Sequence, residues 1–317
     1  MNARRIYDPA VEEQASMLPY LDISDPPMAR ATLQSFLVAL AEQGVQRPSD
    51  DRVEEIERTI PGPEGAPEVP VRIYMPKERT AAGPGFVNFH MGGFVFGDLE
   101  AEHLRCLTMA AEGGAVSIGV DYRLAPEDPF PAGIEDCYAA LRWVAGHAEE
   151  LKIDPARIAI GGGSAGGNLA AAVALMARDR GGPKVAFQML FYPIIDDRCE
   201  TVSMTNGSGL YVWDYQNSLD SWDQYIGKAR ENVSPYAAPA RATDLSGLPP
   251  AYVVTCEHDA LRDEGVNYAM RLMAAGVPVE LHNYPGTVHG FDLLTATDIS
   301  ARALKEGVEA LRRIMAR

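Results

Sequence analysis

The sequence predicts an α/β fold, with a mostly parallel central sheet covered by helices on both faces. Two observations carry this expectation. From Val71 onward, short runs rich in Val, Ile, Phe and Tyr alternate with helical stretches, the order that parallel strands and their crossover helices produce. Several of those runs are apolar at every position, as strands buried on both faces are.

The elements follow in chain order. Residues 1 to about 45 show no strand pattern, and Leu33, Phe36, Leu37 and Leu40 recur there at helical spacing. VEEIERTI (53–60) reads as an edge strand, joined by the turn-rich PGPEGAPEVP (61–70) to a strand VRIYMP (71–76). Further strands are expected at GFVNFH (85–90), AVSIGVDY (115–122), RIAIGG (157–162), VAFQMLFYPII (185–195), AYVVTCE (251–257) and VELHNYP (279–285). A helix is expected over 135–151, with Ala139, Arg142, Trp143 and Gly146 along one face and Leu141 and Val144 widening it. The alanine-rich stretch 168–180 stops at Gly181 and Gly182, a good helix end. Leu304, Val308, Leu311 and Met315 make the last helix amphipathic. One further segment, 211–227, breaks the rhythm: Tyr215, Leu219, Trp222 and Ile226 form a stripe that Gly227 closes. Packing against the N-terminal helices, it would form a lid.

Composition narrows the function. The chain has 317 residues, 47% hydrophobic and 23% charged, with a formal charge of −16. That charge argues against nucleic acid and anionic membranes as partners, and disfavours acidic substrates. MNARRIYDPAVEEQASM has no apolar core of a signal peptide, and no run approaches the ~18 apolar residues of a membrane span. The four cysteines, Cys106, Cys137, Cys199 and Cys256, are scattered without metal-ligand spacing. A cytoplasmic protein with reduced thiols is expected.

The densest chemical signal is IAIGGGSAGGNLA (158–170), where Gly162-Gly163-Ser164-Ala165-Gly166 matches G-x-S-x-G between a strand and a helix. In a nucleophile elbow of this kind, the strained turn holds the serine hydroxyl clear of the backbone. The next N–H then points to where an oxyanion forms. A dinucleotide-binding turn would need an acid at a strand end some 20 residues on, where the chain has Asp179 near a helix end. A Walker loop would need Lys-Ser/Thr after the glycines.

Four signatures surround the elbow in order. FHMGGF (89–94) resembles an HGGG-type oxyanion loop, and DYRLAPE (121–127) with FPAGIED resembles the strand-to-helix segment that accompanies it. HDALRDEG (258–265) resembles a D-P-L-x-D acid motif and VHGF (288–291) an H-G-F histidine motif. Together they resemble the bacterial hormone-sensitive-lipase-like carboxylesterases of the α/β-hydrolase fold, from about Arg72 to Phe291. The resemblance implies Ser164 as nucleophile, His289 as base, Asp259 as its orienting acid, and the N–H groups of Gly92, Gly93 and Ala165 as oxyanion donors. It implies no cofactor and no metal, and a small-molecule ester as partner, uncharged with a short to medium acyl chain; a homodimer stays open. It also divides the chain into a cap part (1–50), a first core part (51–196), a cap insertion (197–232) and a second core part (233–317).

Met91, Phe94, Tyr211 and Trp213 flank the oxyanion loop or enter the 211–227 helix, and are the expected pocket wall. His90 is expected to shape its loop. His103, His147 and His282 are expected at the surface or in packing, and His258 has no partners at metal-ligand spacing. Asp263 is expected to cap a helix, and Arg123 and Glu127 to form a structural ion pair. Three positions depart from the family pattern: Met91 replaces the first glycine of HGGG, Gly163 replaces the acid usual before the serine, and Ala260 stands where the acid motif usually has proline, a change of backbone stiffness only. An amidase, a lactone hydrolase or a dehydratase on the same fold remains open. A non-catalytic receptor is disfavoured by the intact serine, acid and histidine.

Overall fold

The computed structural model describes residues 5–294 and 297–316. Its strands are β1 (Val53–Ile60), β2 (Val69–Pro76), β3 (Gly83–Phe89), β4 (Val116–Val120), β5 (Ile153–Gly163), β6 (Phe187–Phe191), β7 (Ala251–His258) and β8 (Val279–Val288). They form one eight-stranded sheet in the order β1-β2-β4-β3-β5-β6-β7-β8. β2 pairs antiparallel with both β1 and β4, and every pair from β4 across to β8 is parallel. Each run read as a strand is one.

Successive side chains of a strand leave the sheet on opposite faces, and the core divides accordingly. Val87, Ile160, Leu190 and Val253 join one apolar cluster with α4 (Ala132–Gly146), α5 (Ala165–Asp179) and α8 (Arg262–Ala274). Their neighbours Phe86, Ala159, Met189 and Tyr252 join another with α1 (Pro9–Met17) and α9 (Asp298–Met315). α3 (His103–Ala111) lies on the α9 side, with Met109 in that second cluster. Both faces are therefore covered, which explains why the inner strands β4, β6 and β7 are buried along all or most of their length. On α9, Val308, Leu311 and Met315 are buried as their spacing requires.

Three local expectations are corrected. The run 185–195 is strand only to Phe191, because Tyr192 turns left-handed at φ 38° and Pro193 follows. α4 ends at Gly146, and its buried face is centred on Ile134, Cys137, Ala140, Leu141 and Val144, so Arg142 is exposed and Ala139 and Trp143 lie only at its half-buried margins. Asp136 misleads there: it is a buried acid on the inward face, neutralised by Arg123 at 2.8 Å. On α7 (Tyr215–Ile226) the buried face is Asn217, Ser218, Ser221, Trp222 and Tyr225, offset from the expected stripe.

The helices outside the sheet rhythm are α1, α2 (Pro26–Glu42), the four-residue α6 (Val202–Thr205) and α7. The N-terminal segment does meet the 211–227 segment, though not stripe to stripe. Asn217 Nδ2 donates to the Leu21 carbonyl at 2.9 Å, and Tyr7 packs edge-on to Tyr211 at 5.3 Å. The loops after β3, β5, β7 and β8 carry all the catalytic-type motifs. All four strands are parallel, so these loops emerge at one edge of the sheet.

Candidate active site

β5 ends at Gly163 and α5 begins at Ala165, so Ser164 alone makes the turn, at φ 55° and ψ −115°. A β-carbon resists this left-handed region, so the surroundings must hold it. The Ser164 N–H donates to the Phe191 carbonyl at 2.8 Å. Helix and strand also close tightly around the turn: β-carbons on Gly162 and Gly166 would lie 2.1 Å and 1.8 Å from the Phe89 carbonyl oxygen. No larger residue fits at either position.

His289 and Asp259 stand just past the ends of β8 and β7. His289 Nδ1 lies 2.8 Å from Asp259 Oδ2, and the other Asp259 oxygen accepts the Leu261 N–H at 2.9 Å. Both side chains are buried. A carboxylate on Nδ1 fixes the tautomer and leaves Nε2 to exchange a proton. The imidazole is held between Tyr192, edge-on at 4.9 Å, and Trp213 at 5.8 Å. Asp263 takes no part in this pair. It sits inside the first turn of α8 rather than at its cap, where it accepts the Ser203 N–H at 2.8 Å.

Ser164 and His289 line one cavity of about 550 Å³ together with Gly92 and Gly93. The Gly92 carbonyl accepts the N–H groups of Val95 and Phe96, each at 3.0 Å, which closes the turn after β3. Gly93 has φ 56°, and a β-carbon there would meet the Trp213 indole at 2.5 Å. Ala165 opens α5, so its N–H has no acceptor within the helix. The N–H groups of the two glycines and of Ala165 thus belong to the loop and the helix start that bracket Ser164.

Of the expected wall, Met91 and Trp213 line the cavity, while Phe94 and Tyr211 do not. Phe94 is 1% exposed and stacks on Tyr225 at 3.9 Å, turned away from the cavity into the contact with α7. Tyr211 packs on Tyr7 instead. Leu33, Phe36 and Leu37 of α2 supply wall that was expected to pack against protein. Ser221 was also not foreseen; its hydroxyl donates to the Gly93 carbonyl at 2.8 Å and ties α7 to the oxyanion-type loop. A hydroxyl residue within the tryptophan-bearing helical pattern was the available signal.

The remaining histidines and ion pairs are structural. His90 stacks on Tyr122 at 4.2 Å with Nδ1 2.7 Å from the Met91 carbonyl, and burial pulls its pKa down to about 4. Buried His103 meets the Tyr74 hydroxyl at 2.9 Å. His258 Nε2 meets the Ile6 carbonyl at 2.7 Å. Arg123 and Glu127 do not pair with each other: Arg123 binds Asp136, and Glu127 binds Arg30 at 2.8 Å. Among the described residues, no group of three or more His, Cys, Asp or Glu side chains is arranged to hold a metal, and no helix is long and apolar enough to cross a membrane.

A family model described as alpha/beta hydrolase fold matches residues 86–293. The chain belongs to the α/β hydrolase family. Among its relatives in the family is the carboxylesterase NlhH of Mycobacterium tuberculosis, 42% identical over 275 residues that make up 83% of each chain. An arylesterase of Saccharolobus solfataricus is 40% identical over 225 residues, 71% of this chain and 73% of that one. Among solved structures, a bacterial heroin esterase superposes with a TM-score of 0.93 at 46% identity, covering 98% of both chains.

Proposed function

We propose that this α/β hydrolase is a serine carboxylesterase that cleaves uncharged esters with short to medium acyl chains, acting in the cytoplasm. The observation that carries the reading is the shared cavity: a serine on a strained elbow and an aspartate-bound histidine face the same apolar space. In the proposed reaction, Ser164 Oγ attacks the ester carbonyl while His289 Nε2 takes its proton. The oxyanion that forms is met by the N–H groups of Gly92, Gly93 and Ala165. His289 then protonates the departing alcohol, leaving an acyl-serine. Water repeats the sequence and releases the acid.

The wall supports the substrate class. Leu33, Phe36, Met91, Phe96, Leu124 and Trp213 offer an apolar lining, and the Arg30 that also borders the cavity is already paired with Glu127, so an anionic acyl group would lose hydration without compensation. Helices α2 and α7 roof the space, in keeping with residues 1–50 and 197–232 acting as a cap. Tested on p-nitrophenyl esters from acetate to palmitate, the enzyme is expected to peak at the shorter chains. Ser164→Ala is expected to lose several orders of magnitude in turnover. Full activity in that variant, or a preference for palmitate over butyrate, would refute the reading.

A further inference from the structure

Gly163, the residue before the serine, is not left-handed, so its backbone conformation does not require glycine. What requires it is a carboxylate. A β-carbon at Gly163 would lie 2.5 Å from Glu102 Oε1, an oxygen that accepts the Gly163 N–H at 2.6 Å. The other Glu102 oxygen accepts Arg105 Nε at 2.9 Å. Arg105 continues the chain of contacts, donating to Asp292 Oδ2 at 2.9 Å and to the Tyr192 hydroxyl at 3.0 Å. Tyr192 in turn donates to Asp292 Oδ1 at 2.7 Å. The Arg105 guanidinium also lies 3.7 Å over the Phe191 ring.

All four polar side chains are buried. Burial pushes the Glu102 carboxyl upward, yet both its oxygens face donors that never lose their hydrogens, so the site holds the ionised form. The network spans the whole reacting centre from below. Glu102 holds the peptide that leads into Ser164. Asp292 lies three residues beyond His289, and Tyr192 touches the His289 ring. Removing one partner from such a network leaves the others buried and unpaired.

We infer that Glu102 is a positioning residue for the nucleophile and that, through Arg105, Tyr192 and Asp292, it sets Ser164 against His289. Its carboxylate occupies the space that a side chain before the serine would fill. The inference rests on the esterase reading above.

The test is Glu102→Gln, with kcat taken per active site titrated by a phosphonate that labels Ser164. The amide can accept only one of the two donors and presents an N–H to the other. A reacting group displaced by about 1 Å loses about 100-fold in rate, so kcat per titrated site on p-nitrophenyl butyrate is expected to fall about 10- to 100-fold, with KM within about two-fold. A role in stability alone would lower Tm and the fraction of titratable sites, leaving kcat per site within about two-fold of the parent; that result overturns the inference. If Glu102→Gln does not fold, Gly163→Ala decides. Its methyl collides with the carboxylate and displaces it from the residue 163 N–H while Arg105 keeps its partners, so kcat per titrated site should fall at least about 10-fold with KM within about two-fold, whereas a kcat per site within about two-fold of the parent overturns the inference. A phosphonate that fails to label Ser164 in the parent enzyme would instead refute the esterase reading itself.

Discussion

Phe94 offers a test of how the oxyanion-type loop is held, and the structure sets its size. The residue sits at φ 66°, on the left-handed side, which costs a residue with a β-carbon about 1–2 kcal/mol. Its ring offsets that strain by lying parallel to Tyr225, 3.9 Å away at 5°, with Trp222 at 5.5 Å. Truncating a buried phenylalanine to alanine costs about 3–5 kcal/mol, so Phe94→Ala loses the ring and keeps the strain. Phe94→Gly loses the same ring but escapes the strain, against about 0.5–1 kcal/mol for glycine's greater freedom when unfolded. Phe94→Gly should therefore be more stable than Phe94→Ala by a few tenths to about 1 kcal/mol. At a buried position of ordinary backbone conformation the order reverses. Urea unfolding midpoints of parent, alanine and glycine proteins measure this directly. A glycine variant clearly less stable than the alanine one would mean that the backbone at residue 94 is not strained. Because Phe94 lies outside the cavity wall, both variants should keep the parent's ranking of acyl chains. A changed ranking would put the ring back in the pocket.

Three further outcomes follow from particular contacts. Met91 lines the cavity, so Met91→Gly should shift the preference toward longer acyl chains, and an unchanged octanoate-to-butyrate ratio would remove Met91 from the wall. Arg30 ties α2 to the loop after β3 through the Val95 carbonyl at 2.7 Å and to the loop after β4 through the Ala125 carbonyl at 3.0 Å; Arg30→Ala should cost about 1–3 kcal/mol in urea unfolding and raise KM, and a loss of stability with KM unchanged would separate α2 from substrate binding. His90 is depressed by burial from 6.5 to about 4, so its contribution is complete above pH 6.5 and is lost as pH falls toward 4, with a ceiling of about 3 kcal/mol. Asp121 is raised by burial and by Asp98 from 3.8 to about 6, so its contribution is complete below pH 3.8 and is lost as pH rises toward 6. The two slopes oppose between pH 4 and 6; Asp121→Asn should steepen the acid loss of stability there, and an unchanged slope would mean that burial and Asp98 do not raise Asp121.

The strands were legible because a parallel sheet buried on both faces leaves a plain mark, and the elbow because its spacing is dictated by chemistry. The helix faces were harder wherever burial is polar. Asp136 on α4 and Ser218 and Ser221 on α7 all point inward, and each is satisfied by a specific partner. A pattern of apolar residues cannot register such a face, since each side chain is buried by virtue of a hydrogen bond or ion pair rather than of its own apolarity. The stripe on α2 errs in the opposite direction. Leu33, Phe36 and Leu37 look as though they need a protein partner, yet they line the cavity, where a bound substrate would cover them.

Gly163 and Glu102 are 61 residues apart, and neither is informative alone. In the sequence, the glycine is only an acid missing from its usual place before the serine. The glutamate is one of several acids at the start of a helix. Their relation is steric and electrostatic together: the carboxylate can reach the Gly163 N–H only because no side chain is there, and a side chain could stand there only if the carboxylate left. Each residue is therefore a condition for the other. A single substitution at either position should harm the site.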